Sequence, residues 1–263
     1  MTTQLEFFSA IDTGRARSNN EDTVKVDEAL KLAVLADGMG GYNAGEVASD
    51  MAASCVRDEL ARRIAVTNPP MQAAEIRQAL FDSAQIANQT VYDASQNRAE
   101  YAGMGTTLVV ALFEETKLWV GHVGDSRAYR LRGGVLEQIS RDHSLLQEQI
   151  DAGLLRPEEA AFSMHRNLVT RAVGVEPLVE LELHEHELRA GDLILMCSDG
   201  LSDMLPDPQI AQVLRAHEGL EAAATALIAA ANAAGGRDNI AVILVRAKGG
   251  AGQTGRAWWP FRR

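Results

Sequence analysis

Four apolar runs in this 263-residue chain are each bounded by an aspartate, and that repeated arrangement constrains the fold more than any other feature. Residues 32–35 lead into Ala36-Asp37-Gly38-Met39-Gly40-Gly41, residues 118–123 into Gly124-Asp125, and residues 193–197 into Ser198-Asp199-Gly200. The fourth reverses the order, because Asp238-Asn239 opens the run 240–245. Short continuous apolar runs bounded by turn residues read as buried strands, and Asp-Gly after a strand marks a sharp turn. In an antiparallel sheet the start of one strand lies beside the end of its neighbour. Four aspartates can therefore meet at one rim, and like charges held that close need cations between them. A hard divalent metal site is the chemistry this favours. One Asp-Gly alone is ordinarily a turn; the reading rests on all four, with Arg17 and Glu21-Asp22 nearby in sequence.

The remaining elements follow from periodicity. Residues 5–11 and 23–27 read as strands, separated by a polar stretch that carries Gly14, Arg15 and Arg17. Asn43, three residues before Glu46, is a candidate helix N-cap. Val47, Ala48, Met51, Ala52, Cys55 and Val56 then recur at helical spacing until Pro69-Pro70. A second helix carries Ala73, Ile76, Leu80, Ala84, Ala87, Val91 and Ala94 on one face. Gly103-Met104-Gly105 opens strands at 106–113, 117–123 and 127–132, and Gly133-Gly134 suits a hairpin. Ser144 with Gln147 predicts a capped short helix that Gly153 ends. Strands at 179–188 and 192–197, helices at about 208–216 and 219–234, and a strand at 239–246 complete the pattern.

Hairpin-length links and paired helices predict an α+β fold, a four-layer αββα sandwich of two mostly antiparallel β-sheets flanked by helix pairs. One domain spans 1–247, with 145–177 as a mobile flap-like excursion that helps choose substrates. Residues 248–263 form a basic and aromatic tail, Trp258-Trp259 included, expected to be disordered. The alternative for the tail is docking or a membrane surface.

Composition narrows the class. A hydrophobic fraction of 46% suits a sizeable core, and a net charge of −11 argues against nucleic acid as a main partner. Residues 246–263 carry five Lys or Arg and no acid, so the remainder is more acidic than the whole. Cys55 and Cys197 sit among apolar neighbours and read as reduced thiols. The N-terminus lacks a signal pattern, and no apolar run approaches the roughly 20 residues that span a bilayer. A cytoplasmic monomer without a transmembrane segment is the expectation.

Taken in order, the motifs resemble a known family. They are Arg17-Ser18-Asn19-Asn20-Glu21-Asp22, Asp37-Gly38-Met39-Gly40-Gly41, Gly45-Glu46 with Ala48-Ser49, and Gly103-Met104-Gly105-Thr106-Thr107. Then come Val123-Gly124-Asp125-Ser126-Arg127, Asp142-His143-Ser144, Cys197-Ser198-Asp199-Gly200-Leu201 and Arg237-Asp238-Asn239. Each is weak alone; eight in the family's order resemble the metal-dependent protein Ser/Thr phosphatases of type 2C, and the bacterial branch in particular. The resemblance implies two Mg²⁺ or Mn²⁺ ions at the rim of a β-sandwich. Asp37 would bridge them, the Gly38 carbonyl would bind one, and Asp199 and Asp238 the other. Asp125 with Asp199 would hold a third, weaker ion. Glu21 and Asp22 would hold metal-bound waters, and Arg17 would receive the phosphate.

The implied reaction is hydrolysis of phosphoserine and phosphothreonine in proteins by a metal-bridging hydroxide, reversing a bacterial Ser/Thr kinase. The kinase or its targets would be the substrates. Hard ions favour oxygen ligands, and a guanidinium fork matches phosphate. A solvent molecule shared by two cations loses its proton far more readily than bulk water. The leaving alkoxide needs a proton, for which a metal-bound water is preferred and His143 and His122 are the side-chain candidates. Met39 stands where some relatives carry a histidine, and Tyr42 where a histidine often follows the glycines, a change expected to touch packing or substrate. Arg127 is expected to anchor Asp125, and His184 and His186 to share a solvated strand face with Glu180 and Glu182. Neither cysteine has an arginine six positions later, and no Gly-Lys-Ser/Thr loop exists, which excludes cysteine-based phosphatases and P-loop enzymes. Two rivals remain, a silent phosphoprotein-binding relative and a metal phosphodiesterase. The first would have lost a metal acid, yet Asp37, Asp199 and Asp238 are all present.

Overall fold

A strand that is apolar at every position must be covered on both faces. In the computed structural model, which describes residues 4–41, 44–66, 71–156 and 168–249, two stacked sheets and two helix pairs give that cover. One sheet has the order β1 (Gln4–Asp12), β11 (Ile240–Lys248), β10 (Leu193–Cys197), β7 (Arg127–Arg132), β8 (Val135–Gln138). The other has β2 (Asp22–Asp27), β3 (Leu32–Met39), β5 (Leu108–Phe113), β6 (Lys117–Val123), β9 (Glu182–Glu187), with the short β4 (Gly105–Thr106) on the end of β3. All these pairings are antiparallel. The helices are α1 (Ala44–Val66), α2 (Ala73–Asn97), α3 (Leu145–Asp151), α4 (Asp199–Ser202), α5 (Asp207–Ala216) and α6 (Leu220–Ala233).

The period of two along β3 shows how the layers stack. Leu32, Val34 and Ala36 share a buried cluster with Ala48, Val56, Leu80 and Val91 of α1 and α2. Ala33 and Leu35 share another with Met196, Ala241 and Ile243 of the opposite sheet. On β11 the complementary residues Ile240, Val242 and Leu244 join Ile210, Leu214, Ala223 and Leu227 of α5 and α6. Three apolar layers therefore hold four structural layers, the αββα sandwich expected. Each fully buried Leu or Ile contributes about 1.5–3 kcal/mol to that stack.

Several details differ from the sequence expectation. The strand at 106–113 is interrupted at Thr107, whose N–H donates to the Asp37 carbonyl (2.9 Å) and whose Oγ1 accepts the Asp37 N–H (3.0 Å). The strand at 179–188 narrows to Glu182–Glu187, because Val179 and Leu181 are drawn into the helix-side core and the Val179 carbonyl accepts from Gln85 of α2. The Gly133-Gly134 hairpin leads into β8, and a single turn, α4, follows β10. Ser144 caps α3 as expected, its Oγ accepting the Gln147 N–H at 3.2 Å. Cys55 and Cys197 are free thiols, half-buried and buried. The proposed cap Asn43, Tyr42, the central part of the expected flap and the Trp258-Trp259 tail lie outside the described residues. No helix among the described residues is long and apolar enough to cross a membrane.

Candidate active site

Topology brings the four aspartates to one end of the sandwich. Asp37 lies near the end of β3, Asp125 after β6, Asp199 after β10 and Asp238 before β11. Together with Arg17, Glu21 and Gly38 they line a single cavity of about 290 Å³, whose wall is completed by Met39, Gly40, Thr107 and Val169. The two sheets thus each supply part of one site. A larger cavity of about 750 Å³ sits at the opposite ends of β3 and β6, beside Lys31 and Lys117, and lacks such a carboxylate set.

Close backbone contacts fix the rim. A Cβ on Gly38 would fall 2.0 Å from the Gly45 carbonyl oxygen, and one on Gly200 would fall 1.8 Å from that of Asn239. Only glycine lets the first turn of α1 close on β3, and α4 on the Asp238-Asn239 turn. Hydrogen bonds complete the lacing. Asn239 accepts the Glu21 N–H at 2.8 Å and donates to the carbonyls of Thr13 (3.0 Å) and Asn19 (2.9 Å). Ser198 Oγ donates to Asp22 at 2.8 Å and accepts the Ala241 N–H at 2.9 Å. Thr107 Oγ1 lies 2.7 Å from Ser126 Oγ, tying the Asp37 strand to the Asp125 turn. Thr107 and Ser198 are not among the site residues expected from sequence; the signal available is that Ser198 directly precedes the motif acid Asp199 and that Thr107 closes the Gly103–Thr107 motif.

The electrostatics are those of too much negative charge in too little space. Burial first, then the charges of Asp22, Asp199, Asp125 and Asp238, hold the Asp37 carboxyl well above the ordinary carboxylate range. Burial and the charges of Asp125, Asp203 and Asp238 do the same to Asp199. Burial, with Asp142 and Asp203 nearby, pushes Asp125 up to about 6. Asp22 pairs in register with Asp37 across β2 and β3, lies buried rather than lining the cavity, and is pushed up to about 7, chiefly by burial. Among the described residues its Oδ1 has no hydrogen-bond partner within ordinary bonding geometry. Hard oxygen donors that cannot ionise together, above an unpartnered carboxylate oxygen, fit a pair of hard divalent cations. Arg17 is the cation present, half-exposed at the mouth, with Nη2 2.7 Å from Asp238 Oδ2.

Other sequence candidates lie elsewhere. Arg127 does not hydrogen-bond Asp125; its guanidinium grips Asp142 (2.6 Å), in the loop after the paired strand β8, and donates to Tyr129 Oη (3.1 Å). His122 is fully buried and held at about 4 by burial, with Nε2 2.6 Å from the Arg141 carbonyl. His143 stacks on it, receives the Gly124 N–H on Nδ1 (3.2 Å) and bonds Glu182 through Nε2 (3.1 Å). Although the ligand atoms of His122, His143 and Glu182 all lie within 4.8 Å of one another, the Gly124 N–H leaves His143 its proton on Nε2, where it donates to Glu182. That trio is a strut beneath the Asp125 turn. Neither histidine lines the cavity. His184 is exposed and bonds Glu182 at 2.7 Å, as a solvated face requires, but His186 is half-buried and Glu180 lies outside the strand, beside Arg171.

Comparison with known proteins agrees with this geometry. Residues 14–244 match the family model described as protein phosphatase 2C. The chain is 37% identical over 237 residues to the serine/threonine phosphatase stp of Listeria monocytogenes, covering 89% of this chain and 92% of that one. It superposes on the crystal structure of the Mycobacterium tuberculosis serine/threonine phosphatase PstP/Ppp with a TM-score of 0.84 at 36% identity, covering 93% of this chain and 99% of that chain. A structure of the PstP catalytic domain in complex with two manganese ions matches with a TM-score of 0.81 at 36% identity, over 94% and 100% of the respective chains.

Proposed function

The chain belongs to the protein phosphatase 2C family, and from that premise we propose that it hydrolyses phosphoserine and phosphothreonine in proteins with the help of two Mg²⁺ or Mn²⁺ ions. The observation that carries the reading is the single cavity in which Asp37, Asp125, Asp199, Asp238 and Glu21 face one arginine, Arg17. Asp37, the Gly38 carbonyl, Asp199 and Asp238 would hold the two ions, and Asp125 with Asp199 would hold a third. When bound, the ions supply charge neutralisation at the phosphoryl oxygens and activation of a water.

The protein's own groups do the rest. Arg17, held at the mouth by Asp238, presents its remaining N–H groups to an arriving phosphate. Thr107 and Ser198 keep Asp37 and Asp22 in place through hydrogen bonds made before substrate arrives. Neither His122 nor His143 lines the cavity, so neither is placed to hand the leaving alkoxide its proton. A Ser/Thr kinase or its targets as substrates, a monomeric state and a cytoplasmic location complete the proposal, as does a domain of residues 1–247 with a flap and a separate tail.

Assay of a phosphothreonine peptide tests it. Turnover is expected with Mn²⁺ and abolished by EDTA; undiminished turnover in EDTA would refute the metal-dependent reading. Arg17→Ala is expected to raise KM about tenfold, the loss of one charge-assisted phosphate contact, with a smaller change in kcat. Unchanged KM and kcat would remove Arg17 from the role of phosphate clamp. Peptide binding without turnover in the metal-loaded chain would favour the silent phosphoprotein-binding relative.

A further inference from the structure

Beside the aspartate cavity lies a second one of about 390 Å³, and the two share Met39 and Val169 as a common wall. Its far side is formed by Val175, Leu178 and Val179. Two of these large apolar side chains stand out in solvent, Val175 48% and Leu178 78% exposed, which burial preferences alone do not explain.

Their backbone is held firmly. Asn88 of α2, fully buried, accepts the Gly174 N–H at 2.7 Å and donates to the Glu176 carbonyl at 2.9 Å. Gln85, one turn earlier on α2, bonds the Val179 carbonyl. Val173 exchanges two backbone hydrogen bonds with Thr106, of 2.8 and 3.0 Å. The segment 173–179 is thus clamped to α2 and β4, and its apolar side chains are presented without further ordering. Val175 and Met39 both approach Gly105, where a Cβ would fall 2.7 Å from Val175 Cγ2 and 3.6 Å from Met39 Cε. The groove is therefore continuous with the aspartate cavity through Met39 and Val169, which line both.

We propose that this groove receives the residue flanking the phosphorylated one in a substrate protein, and that Val175 and Leu178 select a branched apolar side chain there. The inference rests on the phosphatase reading above. Continuity with the aspartate cavity identifies the occupant, since a chain whose phosphoryl group sits among the aspartates must leave along its wall, rising about 3.3 Å per residue when extended. Charge agrees. Glu176 and Glu180 stand in the groove wall against a single Arg171, which lies 3.5 Å from Glu180, so an acidic flanking residue meets like charge while an apolar one does not.

The test uses the full chain with Mn²⁺ and matched phosphothreonine peptides carrying Leu, Gly or Glu on either side of the phosphoresidue, with p-nitrophenyl phosphate as a substrate that has no flank. For the wild type, kcat/KM is expected to favour Leu over Glu by about tenfold on one side, the range a partly open apolar site gives. Leu178→Ser, a change at an exposed position, is expected to reduce that preference to within about twofold while leaving p-nitrophenyl phosphate turnover unchanged. Val175→Ser is the second variant, with the same expectation. Turnover of p-nitrophenyl phosphate with equal rates on all peptides would overturn the groove assignment alone. Failure to turn over either substrate would instead overturn the phosphatase reading. A wild-type dimer in sedimentation that Leu178→Ser dissociates would assign the groove to a second copy of this chain and overturn the proposal.

Discussion

Asp37→Asn is expected to cut kcat/KM on a phosphothreonine peptide by about 10³-fold, close to 4 kcal/mol of transition-state stabilisation, while raising the melting temperature of the metal-free chain. The two effects share one cause. Asp37 is half-buried in the cavity wall, and the charges of Asp22, Asp199, Asp125 and Asp238 surround it. An amide of the same shape keeps the side-chain volume and removes a charge that burial and those neighbours oppose. Relief of that kind is worth about 1–3 kcal/mol, or a few degrees for a chain of this size. On the proposed assignment the lost carboxylate would also ligate the ions, and a neutral amide oxygen is a poor substitute for a hard dication. With Mn²⁺ present the order should reverse, because a ligand at 100 times its Kd stabilises the wild type by about 2.7 kcal/mol and the variant by much less. Thermal melts of both proteins in EDTA and in Mn²⁺, beside the peptide assay, check all three parts. Retained turnover by the variant would mean that Asp37 is not the shared ligand. A metal-free variant less stable than wild type would mean that its hydrogen bonding outweighs the repulsion.

How much of this site was legible in the sequence follows from which forces act locally. The four strand-bounding aspartates were readable because both sheets are covered on both faces, so residues 32–35, 118–123, 193–197 and 240–245 are nearly unbroken apolar runs. Their convergence followed from antiparallel geometry, and motif resemblance assigned the roles. Register was not readable. Nothing in the spacing of residues 22 and 37 says that Asp22 pairs with Asp37 and sinks beneath the cavity; the β2–β3 pairing decides that. Nor did sequence distinguish Asp125 from Asp142 as the partner of Arg127, since both lie within reach of the same turn and only the fold of the 142 loop brings the second into a forked hydrogen bond. The groove beside Met39 was equally hidden. Its walls come from residues 39 and 169–180, joined through buried Asn88, whose two partners there, Gly174 and Glu176, lie 86 and 88 positions further along the chain.

Metal-free and metal-loaded protein are expected to respond to pH with opposite signs. Asp22 and Asp125 are held at about 7 and about 6, and Asp37 and Asp199 well above the ordinary carboxylate range, all chiefly by burial. Between the ordinary carboxylate value and these raised ones, the folded chain binds more protons than the unfolded chain. Stability therefore falls as pH rises through the folded values, and is recovered on acidification. From pH 8 to pH 6 Asp22 alone contributes on the order of 1 kcal/mol, and the other raised carboxylates act in the same direction. The histidines that oppose this are His122, held at about 4, and His143 and His186, also lowered, all chiefly by burial. A histidine kept neutral in the fold costs stability as pH falls below about 6.5, so these groups flatten the rise on acidification without reversing it while the four carboxylates outnumber them. With Mn²⁺ the slope reverses, since the same carboxylates must be deprotonated to ligate and protons compete with the ion. Melting temperatures at pH 6 and pH 8, in EDTA and in saturating Mn²⁺, give the comparison directly. Parallel slopes in the two conditions would show that the clustered carboxylates are not where the ions bind, and the account of the cavity as a metal centre would go with them.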